Sequence, residues 1–234
     1  MSESPRYSPA EEFCNCATHA FGALLTLGGT FLLVSMAFMY PRERVVYSDG
    51  GHSGQTAAEI VAVWESYAVS ALIYGASIFA MFLISAMYHA ARTPEVKAEM
   101  RKCDHAAIYF AIAGTYVPIV NAIMPFREGL VWYCGLGLCA VVGAVSSFVT
   151  LKHKYVTTTV YLIMGWASLL LLRTLWRAAD PLTTYLLIAG GAVYSLGAAL
   201  YLIRKPFMHA VFHVFVLGGA ALQYLAIYTL YINH

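Results

Sequence analysis

His209-Ala-Val-Phe-His213-Val-Phe-Val-Leu-Gly-Gly-Ala-Ala-Leu-Gln-Tyr-Leu-Ala-Ile-Tyr-Thr-Leu-Tyr231 contains no Lys, Arg, Asp or Glu, and its reading decides that of the whole chain. A helix needs about 20 apolar residues to cross a hydrocarbon layer about 30 Å thick, so this stretch is long enough to span one. Six more of the same kind lie upstream, near His19–Tyr40, Tyr67–His89, His105–Met124, Leu130–Thr150, Val156–Trp176 and Leu182–Tyr201. The 234 residues are 60% hydrophobic and 11% charged, whereas soluble domains are about 25% charged; mean hydropathy is +0.67. The sequence therefore predicts an all-α integral membrane protein. Residues 1–17 form a cytoplasmic tail in this reading, and 18–234 a single seven-transmembrane helical bundle.

Between the spans lie segments with the composition of loops: Pro41-Arg42-Glu43-Arg44 with the polar stretch to Gln55, Arg92 to Asp104, Pro125 to Gly129, Lys152 to Tyr155, Ala178 to Pro181, and Arg204-Lys205-Pro206. Short links make successive helices antiparallel neighbours, so an up-and-down bundle is expected. Orientation follows from the excess of Lys and Arg on the cytoplasmic side. The N-terminal side carries nine (Arg6, Arg92, Lys97, Arg101, Lys102, Lys152, Lys154, Arg204, Lys205) and the other side four (Arg42, Arg44, Arg127, Arg177), or five if Arg173 snorkels there. The N-terminus is thus expected in the cytoplasm and the C-terminus outside, in a plasma or inner membrane. A rhodopsin-type receptor would have the opposite bias, and no lysine lies within a span to anchor a retinal.

A net charge of +2 gives no ground for a nucleic-acid partner. The polar start, MSESPRYSPAEEF, lacks the basic and apolar regions of a cleavable signal. Five cysteines, an odd number spread over tail, loop and span, do not suggest a disulfide framework.

Polar groups within apolar spans are costly, and they persist mainly where an ion or substrate binds. Span two ends with Ser85 and His89, span three begins at Asp104-His105, and span seven opens with His209 and His213. All lie at the same depth. Residues four apart share a helix face about 5 to 6 Å apart, so His209 and His213 can grip one ion together, and Ser85 and His89 have the same spacing. One histidine at a membrane boundary is usually only an interfacial residue. Three histidines, a carboxylate and a hydroxyl from three spans suit a divalent metal, and imidazole-rich sites favour zinc. Three protein ligands leave a fourth position for water, the pattern of catalytic zinc, and Asp104 is the natural group to deprotonate that water. Ser85 can hold the water or a developing oxyanion. His19 is a possible partner of the ligands, whereas Asn15 or Thr18 reads as a helix cap and Glu12 as a carboxylate near the positive end of that helix. His105, about 100° around the helix from Asp104, reads as interfacial or packing.

The chain resembles the haemolysin III group within the progestin and adipoQ receptor superfamily over nearly its whole length. Four pieces carry the resemblance: EFCNCATHAFG (Glu12–Gly22), Ser85-Ala-Met-Tyr-His89, Asp104 within KCDHAAIYFAIAGTYVP, and His209-Ala-Val-Phe-His213. The resemblance implies zinc ligands at His89, His209 and His213, with Asp104 and Ser85 beside the bound water. Similar proteins are described as ceramidase-type lipid hydrolases, as receptors and as haemolysins.

Together these readings predict a zinc-dependent hydrolase cleaving an amide or ester bond of a membrane lipid, with water on the metal as nucleophile and Asp104 as base. A receptor of lipids or hormones with structural zinc is the alternative, and a cytolytic pore the third. Gly28-Gly29, Gly190-Gly191 and Gly218-Gly219 are expected to allow close helix packing. Pro118 is expected to kink span three near the site.

Overall fold

A computed structural model describes residues 7–39, 43–50, 55–62, 64–151, 154–203 and 205–233. Arg6, Arg42, Lys152 and Arg204 of the charge count, and Tyr40 at the end of the first span, lie outside them. The elements are α1 (Pro9–Met39), β1 (Glu43–Gly50), β2 (Gln55–Ala62), α2 (Trp64–Ala90), α3 (Pro94–Ile123), α4 (Phe126–Val149), α5 (Lys154–Trp166), a 3₁₀ stretch (Ala167–Leu171), α6 (Leu172–Ala178), α7 (Pro181–Tyr201) and α8 (Met208–Ile232). Among the described residues seven helical spans are long and apolar enough to cross a membrane, with α5, the 3₁₀ stretch and α6 forming one of them. The expected loop between the first two spans contains an antiparallel hairpin, β1 on β2, in which Glu43 faces Ala62 and Gly50 faces Gln55. Val45-Val46-Tyr47 and Ile60-Val61 supply the strand-forming residues there.

Two helices start well before the spans read from hydropathy. α1 begins at Pro9, where Ser8 and Glu11 form a capping box: the Ser8 backbone N–H donates to Glu11 Oε2 at 2.9 Å, and the Glu11 N–H donates to Ser8 Oγ at 3.3 Å. Pro9 occupies the first helical position, where its missing N–H costs nothing. Asn15 and Thr18 are therefore helix-interior residues rather than caps, which corrects the expectation from sequence. Likewise α3 begins at Pro94, so Asp104 and His105 lie about three turns into a helix and not at its start.

Lipid-facing positions such as Phe31, Val131, Val142 and Leu170 are exposed, as a bilayer solvent allows. Between helices the contacts are close and hydrogen-bonded. Tyr231 donates to the Tyr67 carbonyl at 2.7 Å, tying α8 to α2, and the Thr183 and Thr229 hydroxyls meet at 2.7 Å between α7 and α8. A Cβ on Gly219 would fall 2.8 Å from the Tyr194 ring, so glycine there lets α7 and α8 approach closely. The 3₁₀ stretch disturbs the hydrogen-bond ladder of the fifth span. The Tyr116 hydroxyl of α3 reaches the Met164 and Gly165 carbonyls there, at 2.7 and 2.8 Å. In hydrocarbon such irregular backbone persists only where protein groups satisfy it. Pro118 sits inside α3, fourteen residues from Asp104 and therefore about 21 Å along the axis from it. It does not lie near the histidines, contrary to expectation.

Candidate metal centre

α1 starts, α2 ends, and α3 and α8 start at one end of the bundle, and there the predicted histidines meet. His213 Nε2 lies 3.1 Å from His209 Nε2, which lies 3.3 Å from His89 Nε2. Nitrogens bound tetrahedrally to zinc at about 2.0–2.1 Å would be about 3.4 Å apart. The three residues offer ligand atoms within 4.8 Å of one another.

Hydrogen bonds on the far side of two rings fix where the lone pairs point. Glu12 Oε2 lies 2.7 Å from His89 Nδ1, and a carboxylate only accepts, so Nδ1 carries the proton. His213 Nδ1 lies 3.2 Å from the Asn15 backbone carbonyl and is likewise the donor. Both Nε2 atoms therefore present lone pairs toward His209. His209 Nε2 has at most one hydrogen to share between them, whereas a cation placed between the three accepts a lone pair from each. The residues thus fit a metal ion.

Glu12 does lie in the first turn of α1, near the positive helix end as expected, but its bond to His89 is the contact the sequence reading missed. Its second oxygen, Oε1, pairs with Lys97 Nζ of α3 at 2.7 Å, so one carboxylate joins three helices. The neighbouring Glu11 accepts from the Phe207 backbone N–H at 2.7 Å. Phe207 precedes α8 in the left-handed region, with φ of 62°, which is strained for a residue with a Cβ. α1 therefore anchors the chain just before the two histidines of α8. Tyr7, ahead of α1, stacks on the His209 ring with centroids 4.9 Å apart, and burial pushes its phenol pKa far up, so it stays protonated.

Beyond the histidines a cavity of about 190 Å³ runs between α3, the fifth span, α7 and α8. Ser85, Asp104, His19, Tyr201, His209 and His213 line one end; Ile119, Leu187 and Gln223 lie deeper. From Asp104 to Ile119 the helix rises about 22 Å, which gives the chamber's length. Ser85 and His213 are each 1% exposed, His19 and His89 3%. His105 also lines the chamber and its carbonyl accepts from Tyr161, so of its two expected roles it takes packing and not an interfacial place.

The whole arrangement lies inside a recognised sequence pattern. The profile of the family described as Haemolysin-III related matches residues 7–224. The chain belongs to this family. It is 30% identical to Hemolysin-3 of Bacillus cereus over 221 residues, covering 93% of this chain and 90% of that one. Against the Hemolysin-3 homolog of Bacillus subtilis (strain 168) it is 30% identical over 224 residues, 93% and 92% of the two chains. It is 31% identical over 237 residues to the human monocyte to macrophage differentiation factor, 95% of this chain and 86% of that one. The matched range takes in Glu12, His89, Asp104 and both histidines of α8.

One signal could have found Glu12 from sequence. Glu12, Asn15 and His19 recur at intervals of three and four, a polar stripe on an otherwise apolar helix that must face a partner in the bundle.

Proposed function

We propose that the protein is a zinc-dependent membrane hydrolase that cleaves an amide or ester bond of a lipid. The observation carrying this reading is the convergence of three Nε2 atoms, two of them from residues that line a largely apolar chamber, which also holds a carboxylate and a hydroxyl. His89, His209 and His213 would hold the zinc ion, which supplies Lewis acidity and a water whose pKa falls to about 7. Asp104 accepts the proton as water attacks the carbonyl and returns it to the leaving nitrogen or oxygen. The Ser85 hydroxyl donates to the oxygen on which negative charge develops. The chamber's apolar walls take the acyl chain and keep bulk water from the reacting bond. With the positive charges counted from sequence, the site lies at the cytoplasmic side of a plasma or inner membrane, within reach of both water and head groups.

Purified protein supplied with ceramides and phospholipids tests this by fatty-acid release. Wild type is expected to release fatty acid, while His209→Ala and Asp104→Asn fall to background, the latter with its metal retained. Release by wild type no greater than by His209→Ala overturns the hydrolase reading.

One observation favours a second reading. The Tyr7 ring covers His209, and His89 and His213 are almost wholly buried, as in a closed structural zinc site. On that reading the protein is a receptor whose lipid is a ligand and leaves the chamber unchanged.

A further inference from the structure

His19 has a buried imidazole that the metal centre does not use. Neither ring nitrogen has a hydrogen-bond partner among the described residues, although the residue is 3% exposed and lines the chamber. A buried polar group left in this condition costs about 1–3 kcal/mol. The ring is nevertheless held firmly: it stacks on His213 with centroids 3.6 Å apart and planes 9° from parallel, and the Phe82 ring meets it at 79°. Phe82 is itself confined, since a Cβ on Gly22 would fall 2.8 Å from its ring.

That stack excludes His19 as a further ligand of the same ion. A metal sits in the plane of each imidazole that binds it, along the nitrogen lone pair. Two nearly parallel planes 3.6 Å apart cannot both contain one atom. The free nitrogens must therefore be satisfied by something other than the ion, and the chamber is the space that His19 faces.

We propose that His19 donates a hydrogen bond from a ring N–H to the acyl carbonyl of a lipid amide or ester lying in the chamber. Stacked one ring thickness from His213, it holds that carbonyl beside the metal centre. His19 is thus a positioning residue, and the assignment rests on the reading that the chamber takes an acyl lipid. An acyl carbonyl replaces the missing partner, whereas a plain alkane of the same length leaves His19 unsatisfied.

The test compares dissociation constants of N-methyldodecanamide, methyl dodecanoate and dodecane, read by displacement of a fluorescent fatty acid from metal-loaded protein in detergent. For wild type, both carbonyl compounds are expected to bind more tightly than dodecane. In His19→Phe, which keeps the stack and loses the donor, that preference falls by about tenfold. Dodecane affinity and metal content stay as in wild type. His19→Gln, which keeps a donor, restores most of the preference. Should the phenylalanine variant not fold, His19→Leu takes its place. An unchanged preference overturns the proposal, as does wild type showing none, or metal content falling in step with it. None of these readouts requires turnover, so a protein that hydrolyses nothing would sink the hydrolase reading while the carbonyl preference still decides the role of His19.

Discussion

Glu12 Oε2 stands 2.7 Å from His89 Nδ1, joining the first turn of α1 to the last turn of α2 across 77 residues of sequence. The bond fixes the tautomer and the orientation of one ligand ring. Removing such a partner typically weakens metal binding by about 10- to 100-fold. Glu12→Gln is expected to lose affinity in that range in competition with a calibrated chelator. Lys97→Met, which leaves the carboxylate in place, is expected to lose less. Equal metal affinity in Glu12→Gln and wild type would separate this contact from the site.

Removing the metal should loosen the bundle. An ion bound only by the folded protein, present at a hundred times its dissociation constant, contributes about 2.7 kcal/mol. Chelation is expected to lower the thermal transition in detergent, and the triple variant His89→Ala, His209→Ala, His213→Ala to show no response to chelator. A wild-type transition indifferent to chelation contradicts a metal joining α2 to α8.

Glu11 closes the capping box of α1 and also holds the Phe207 N–H before α8. Losing a cap costs about 1 kcal/mol. Ser8→Ala should lose about that much in an unfolding titration, and Glu11→Ala measurably more, because it also frees the strained residue ahead of α8. Equal losses would mean that the link to Phe207 adds nothing.

Tyr116 is the donor to two carbonyls where the fifth span departs from α-helical geometry. Tyr116→Phe keeps the ring and removes the donor, leaving buried acceptors at a cost of about 1–3 kcal/mol. Unfolding in mixed micelles should show that loss, with metal content unchanged.

Much of this was legible in the amino-acid order. The His209–Tyr231 stretch gave the length of a span, and the four-residue spacings of Ser85 with His89 and His209 with His213 pointed to one shared depth. Hydropathy misplaced the starts of α1 and α3, because their first turns project beyond the apolar windows and are fixed by local chemistry instead, Ser8 with Glu11 in one and Pro94 in the other. The same error made Asn15 or Thr18 a supposed cap and hid the bond from Glu12 to His89. The 3₁₀ stretch left no mark in composition, since its residues, ASLLL, suit an α-helix as well; the Tyr116 hydroxyl that tolerates it comes from another helix.

α1 supplies hydrogen-bond acceptors behind His89 and His213, but two of the three converging imidazoles belong to α8, and the first of them lies 120 residues beyond His89. Until α8 is made, His89 stands without the two rings that face it, and one imidazole cannot chelate. Any ion held there would consequently arrive late in biogenesis, once α8 has joined α1 and α2.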